Sequence, residues 1–294
     1  MKAILQLNNN PHKKNGLEFI DDLPFLKICG KMLISYYFDF LYQLGIKEIF
    51  IASNNEKNIQ HRLRFIDTLN IDIKFIHSSN SKHSYLALFD QVKNEDLLIM
   101  DGYGFIKNDL SLINKTFFDT FYNTLFMHKD FQLIYISKHF TDIDFEKLEL
   151  NFNLDLKEIN SISDYFFISD HIIEDLDSRY VLPGYSNEEG IIIGKNVEID
   201  KECKLIAPVI IMDNVKICGN SQIGPKAVIN QNVFIESSCE IINSIVYDNT
   251  YLNTNLKLDY KFILSNIIVD RNNIKVYNID KKFAFTNTYG SQEY

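Results

Sequence analysis

Apolar residues recur every six positions through the last third of the chain. Stepping from Ile193 gives Ile193, Ile199, Leu205, Ile211, Ile217, Ile223, Ile229, Ile235 and Ile241, every one Ile or Leu. Four residues after each stands a second small or apolar residue: Val197, Cys203, Val209, Val215, Ser221, Ala227, Val233, Cys239 and Ile245. Turn formers such as Gly194-Lys195-Asn196, Asp213-Asn214 and Gly219-Asn220 lie between them. A helix of about 3.6 residues per turn cannot hold a six-residue register, and an amphipathic strand alternates by two. A period of six suits a coil with three flat faces, one hexapeptide to each, and roughly 18 residues per coil. The expected element is a left-handed parallel β-helix over residues 190–275. Cys203, Ser221 and Cys239 then fall in one inner column and are core residues by position. The register slips after Tyr251 and restarts at Ile263 and Val269, with Ile267 as inner partner. Asn253 to Phe262 therefore reads as an insertion or an irregular coil. Residues 276–294 are polar and aromatic and read as a tail or as a cap over the open end.

The N-terminal part, residues 1–180, carries a different pattern. Short apolar runs at Ala3–Leu7, Ile46–Ala52, Ile71–Ile76 and Leu97–Met100 read as strands. Helical spacing appears at Leu33–Leu44, which ends at Gly45, at Ile59–Leu69 and at Tyr85–Val92. Strands alternating with helices predict an α/β domain with a parallel sheet covered on both faces. In such sheets ligands bind beyond the carboxyl ends of the strands.

Composition narrows the function classes. A net charge of −9 disfavours nucleic acid as a partner, because phosphates repel an acidic surface. No apolar run reaches the ~18 residues of a membrane span, and the N-terminal apolar run is too short for a signal peptide. The cysteines, Cys29, Cys203, Cys218 and Cys239, lack zinc-site spacing and read as reduced thiols of a cytoplasmic protein.

MKAILQL, LPFLKICGKMLISYYFDFLYQLGIKEIFIAS and EDLLIMDGYGFI resemble the N-terminal half of sugar-phosphate nucleotidyltransferases, a Rossmann-like sheet here in truncated form. Ile28 to Ser53 matches best. The hexapeptide repeats resemble both acyltransferases and the tails of those nucleotidyltransferases. Hexapeptide acyltransferases use a His base. The histidines here are His12, His61, His77, His83, His128, His139 and His171, all outside the repeats, which removes acyl transfer from that region.

The resemblance implies a reaction between a nucleoside triphosphate and a sugar 1-phosphate that releases pyrophosphate. That chemistry needs a phosphate cradle, a carboxylate-held Mg²⁺ and a cation on the reacting phosphates. The family's glycine-rich cradle falls on Asn8-Asn9-Asn10-Pro11-His12-Lys13-Lys14, where every glycine is missing. Asn8 and Asn9 are the candidates for a residual loop shape, and Lys13 stands where the family has Arg. The family's Lys before Pro is Leu23 before Pro24. Lys27 reads as a surface charge and Lys31 as a turn residue. The family's metal Asp follows Gly; here Tyr103 follows Gly102 and Asp101 precedes it. Asp101 is the candidate metal ligand, and no second ligand is assigned. Ser78 to Ser84 lacks the glycine that lets a base approach the backbone, and His83 reads as a polar helix start. Asp164-Tyr165-Phe166-Phe167-Ile168 reads as a late strand of the domain.

The expected function is that of a degenerate homologue without turnover. It would be a regulator or scaffold in sugar-nucleotide or polysaccharide synthesis. Its partners would be other copies of itself, an active homologue or a polysaccharide-synthesis enzyme. The alternatives are an active divergent nucleotidyltransferase using Lys13, Asp101 and Mg²⁺, and a sensor of nucleotides or sugar phosphates.

Overall fold

A computed structural model describes residues 1–7, 17, 22–64, 66, 71–78, 95–107, 124–128, 131–138, 149–150, 154–176, 185–265 and 267–278. The chain divides into two compact units. One comprises Met1–Leu26 and Met32–Asp164, the other Lys27–Lys31 and Tyr165–Tyr294.

Among the described residues, the first unit is built on a sheet of seven strands. Its strands are β1 (Lys2–Gln6), β2 (Glu48–Ser53), β3 (Asp72–His77), β4 (Leu97–Asp101), β6 (Thr124–His128), β7 (Phe131–Ile136) and β8 (Glu149–Leu150). A separate antiparallel pair joins β5 (Gly104–Ile106) to β9 (Leu156–Glu158). The order across the sheet is β8-β6-β7-β4-β1-β2-β3. β4, β1, β2 and β3 run parallel, and β7 is antiparallel to both β4 and β6. The apolar runs predicted as strands occupy β1, β2, β3 and β4. Ala3, Ile4, Leu5, Leu97, Leu98 and Ile99 are all buried, as strands covered on both faces require.

Helix α1 (Leu33–Gln43) lies where its apolar spacing put it, with Leu33, Ile34, Tyr37, Phe38, Phe40 and Leu41 buried. It ends in a Schellman motif. The N–H of Ile46 donates to Leu41 O (3.0 Å) and that of Gly45 to Tyr42 O (2.9 Å). Gly45 supplies the left-handed residue this turn needs, with φ +72. Helix α2 spans Glu56–Leu63 and buries Ile59 and Leu63. The helix expected at Tyr85–Val92 lies outside the described residues.

Asp164 to Ile168 is not a strand but part of helix α3, Ile162–Glu174. Ser161 and Asp164 form a cap: Ser161 Oγ donates to Asp164 Oδ2 (2.8 Å) and accepts from Asp164 N–H (3.2 Å). Ile162, Tyr165, Phe166, Ser169, Ile172 and Ile173 are buried, which is helical spacing over more than three turns. The five-residue aromatic run hides that spacing, because a short apolar run fits either element.

The second unit stacks parallel strands in three sheets, consistent with a β-helix. One sheet holds Ile191–Ile193, Val209–Ile211, Ala227–Ile229, Ile245–Val246 and Lys261–Leu264. The second holds Glu198–Ile199, Lys216–Ile217, Phe234–Ile235 and Tyr251–Leu252. The third holds Lys204–Leu205, Gln222–Ile223, Glu240–Ile242 and Lys257–Asp259. Ile211, Ile217, Ile223, Ile229, Ile235 and Ile241 form one buried core with Val215, Ala227, Val233 and Cys239. Cys203 and Cys239 are free thiols, Cys203 partly buried and packed against that core.

The corners explain the Asn-rich turns. Asn196, Asn214, Asn232 and Asn249 all adopt positive φ, between 54 and 58, a region Asn tolerates better than most residues. Their side chains form a ladder, each Nδ2 donating to the next Oδ1 at 2.9, 3.0 and 2.9 Å.

Asn253 to Phe262 is no insertion. The ladder steps by 18 residues from Asn214 to Asn232 and by 17 from Asn232 to Asn249, so one corner is a residue shorter. Ile229 pairs with Val246, Ile235 with Leu252 and Ile241 with Leu258. The coil through Leu252 and Leu258 is regular, and the shortening falls at the Asn243 corner, φ 48. Nor does the six-residue step restart at Ile263. Lys261–Leu264 is followed by an antiparallel pair, Ile267–Asp270 and Lys275–Asn278. Ile268, rather than Ile267, packs against the core.

One sheet is also apolar on its outer side. Ile192, Ile210, Val228, Ile245 and Phe262 are each 2% exposed or less, although none belongs to the inner cluster. Phe262 packs against Tyr165 and Phe166 of α3, with ring centroids 5.6 and 6.0 Å away. Arg271 clamps the same helix. Its guanidinium donates to Asp170 Oδ1 (2.5 Å) and Asn243 O (2.7 Å) and lies 4.7 Å from the Phe166 ring centroid.

Candidate functional site

The parallel strands fix where a ligand can meet the first unit. The chain moves from β1 outward to β2 and β3, then returns to place β4 on the other side of β1. Such a reversal opens a crevice beyond the carboxyl ends of the strands that flank it. Here those ends are Gln6 of β1 and Asp101 of β4, which are register partners. Asp101 is flanked on its other side by Gln132 of β7.

Buried polar groups tie this edge together. Ser53 Oγ donates to Leu7 O (2.7 Å) and Gln6 Nε2 donates to Ser78 Oγ (2.9 Å). Gln6, Ser53 and Ser78 are all at most 3% exposed. These bonds tie the ends of β1, β2 and β3 to one another. Asp101 is half-buried beside them.

After Asp101 the chain turns through Gly102 (φ 91) into Tyr103 and β5. Tyr103 is 6% exposed. Burial, with Tyr37, Asp22 and Asp101 adding to it, pushes its phenol well above the ordinary range, so it stays neutral. Tyr37 Oη of α1 donates to Gly104 O and accepts from Gly104 N–H, both at 3.0 Å. A Cβ on Gly104 would come within 2.1 Å of the Phe131 ring, so only glycine permits this approach. Ile159 N–H donates to Tyr103 O (2.9 Å). The preceding Glu158 is 4% exposed, and its N–H donates to His128 Nδ1 (3.2 Å). His128 ends β6, parallel to β4, and therefore lies on the same edge of the sheet.

Helix α2, which follows the carboxyl end of β2, carries a cation. Arg62 of α2 donates from Nη1 to Asp22 Oδ2 (3.0 Å), and Asn58 Nδ2 donates to the same oxygen (2.5 Å). The Arg62 guanidinium lies over the Phe25 ring, 3.9 Å from its centroid.

Among the sequence candidates, Asp101 is at the crevice. Asn8, Asn9, Lys13 and His83 lie outside the described residues. Lys27 is not a surface charge. It is 9% exposed, and its Nζ bonds to Asp248 Oδ2 (2.5 Å) and Gln231 Oε1 (2.9 Å) within the second unit. Lys31 follows the Cys29-Gly30 turn, half-buried, and burial lowers its ammonium to about 8. Gln6, Ser53, Glu158, His128 and Arg62 were missed by residue pattern. Their signal was position at strand ends or along α2, legible only once the strand order was known. Among the described residues no group of three or more His, Cys, Asp or Glu side chains could hold a metal.

No protein-family model matches the chain, and no curated protein matches it. It is similar to the solved structure of a putative glucose-1-phosphate thymidylyltransferase from Bacillus anthracis in complex with a sucrose. The identity is 9% and the TM-score 0.46, over 62% of this chain and 97% of that one. No helix among the described residues is long and apolar enough to cross a membrane.

Proposed function

We propose that the chain is a degenerate relative of sugar-phosphate nucleotidyltransferases, without turnover, whose repeats form a left-handed coil. It serves as a regulator or scaffold in sugar-nucleotide or polysaccharide synthesis, as a homo-oligomer or beside an active homologue. The observation that carries this reading is Tyr103. The position after Gly102, where the family places its metal carboxylate, holds a buried neutral phenol. Lys27 does not compensate for Leu23, because its charge is spent on Asp248. Removing one electrostatic group from a site costs about 10²–10³ in rate, and here two positions are altered.

The test is incubation with Mg²⁺, a panel of nucleoside triphosphates and sugar 1-phosphates, with pyrophosphate as the readout. No release is expected. Turnover abolished by Asp101→Asn overturns this reading in favour of an active enzyme that holds Mg²⁺ on Asp101. That second reading draws support from the half-buried Asp101 at the strand reversal. A nucleotide or sugar-phosphate sensor, binding at the same edge without turnover, is the third.

A further inference from the structure

The crevice of the first unit needs a cation if it is to hold a phosphate, because the chain as a whole carries a net charge of −9. Leu23 and Pro24 offer none. They open a short 3-10 helix, Leu23–Phe25, and Arg62 of α2 lies across the last ring of that helix. The side chain is fixed on two sides. Phe25 supports the flat face of the guanidinium, and Asp22 takes one edge at Nη1. Asn58, one helical turn earlier, donates to the same Asp22 oxygen and holds the carboxylate in place. Asp22 is 10% exposed at its side chain and Arg62 is 38% exposed. The carboxylate is thus sunk into the unit, while part of the guanidinium faces solvent. A guanidinium has five N–H donors in a rigid fork, and Asp22 engages the fork at one nitrogen. The cluster adjoins the carboxyl end of β2. Helix α2 starts at Glu56, just after Ser53 ends that strand, with Asn55 N–H donating to Ser53 Oγ (3.0 Å), and Asn58 in the first turn of α2 holds Asp22.

We propose that Arg62, held by Asp22 and Phe25, is the cation that meets the phosphate chain of a nucleotide or sugar phosphate at this edge. A stacked, carboxylate-oriented guanidinium is pre-organised to offer its outer donors as a pair to phosphate oxygens. This inference rests on reading the edge as a nucleotide site. It does not depend on whether turnover occurs.

The test is calorimetric titration of the full chain, without Mg²⁺, using inorganic tripolyphosphate, nucleoside triphosphates and sugar 1-phosphates in separate arms. Wild type is expected to bind in at least one arm. Affinity shared by tripolyphosphate and triphosphates identifies the phosphate chain as the ligand, and affinity for sugar 1-phosphates alone identifies the sugar phosphate. Arg62→Gln is expected to weaken binding by about 10-fold or more and to flatten its salt dependence, as loss of a charged hydrogen bond does. Arg62→Lys keeps the charge and the stem, folds with an unchanged melting temperature, and recovers only part of the affinity. If both variants bind like wild type, this inference is overturned and the reading of the edge survives. If wild type binds in no arm, both are overturned.

Discussion

The Lys27 ammonium and the Asp248 carboxylate lie 2.5 Å apart although 221 residues separate them. They join a five-residue segment from the N-terminal part of the chain to a corner of the stacked coil. Gln231 completes the shell: its N–H donates to Asp248 Oδ1 (3.0 Å) while its Oε1 accepts from Lys27. Lys27 N–H donates to Tyr247 Oη (3.0 Å), so the backbone is held as well as the charge.

Breaking that pair leaves a buried charge uncompensated. Lys27→Met or Asp248→Ala alone is expected to cost about 3–5 kcal/mol, whereas Lys27→Met with Asp248→Leu is expected to recover most of it. Denaturant unfolding of the four proteins, read as a double-mutant cycle, measures the coupling. Single variants as stable as wild type would show that the pair is open to water.

The cap of α3 makes a pH prediction. Burial works against the Asp164 carboxylate. Lys157 at 2.6 Å, the Ser161 hydroxyl and the Asn160 N–H outweigh it and hold the carboxyl below its ordinary value. A carboxyl depressed in the folded state binds its proton more readily when unfolded. Its stabilisation is therefore complete above the unfolded value of about 3.9 and is lost as pH falls through the lower folded value. Asp164→Asn should flatten the acid limb of a stability–pH curve and cost about 1 kcal/mol near neutrality. Identical acid limbs for the two proteins would refute the assignment.

The asparagine ladder should discriminate between replacements of Asn214. Alanine loses two amide contacts and must adopt positive φ, at a cost of roughly 2–3 kcal/mol. Glycine loses the contacts but accepts the backbone, and should cost about 1 kcal/mol less than alanine. Thermal unfolding of both variants reads the difference, and equal losses would show that φ does not matter at this corner.

Arg271 is only 6% exposed at its side chain and is shared by Asp170, Asn243 and the Phe166 ring. Arg271→Lys keeps the charge but cannot reach all three, since an ammonium lacks the planar fork. A loss of about 1.5–3 kcal/mol is expected from the charged hydrogen bonds. Amide exchange should rise in α3 before it rises in the inner coil.

The parts of the fold legible in the sequence were those set by spacing along the chain. Ile193 to Ile241 keep their six-residue step because each coil repeats one local conformation, so neighbours in sequence report it. α1 was readable for the same reason, its buried face and Gly45 being local signals. α3 was misread because Tyr165, Phe166, Phe167 and Ile168 form an apolar run that masks the Ser161–Asp164 cap. The short coil after Ile241 was misread because deleting one corner residue moves every later inner position, so the old register sees Asn253–Phe262 as irregular.

The candidate site was less legible, for a physical reason. Asp101 could be picked out because a Gly follows it. Gln6, Ser53, His128 and Glu158 could not, because what makes them neighbours is the order of strands in the sheet, and hydrogen bonds across strands leave no trace in local spacing. Lys27 shows the limit most clearly. A lysine between Leu26 and Ile28 has the look of a solvated charge, and only a carboxylate brought from residue 248 makes its burial affordable. By itself the sequence determined the repeating coil, the α/β alternation and the missing cradle glycines, all consequences of local periodicity and composition. Tertiary structure alone decided which polar groups share the edge at Asp101 and that the Lys27 charge is consumed by Asp248, because burial and pairing depend on residues far apart in the chain.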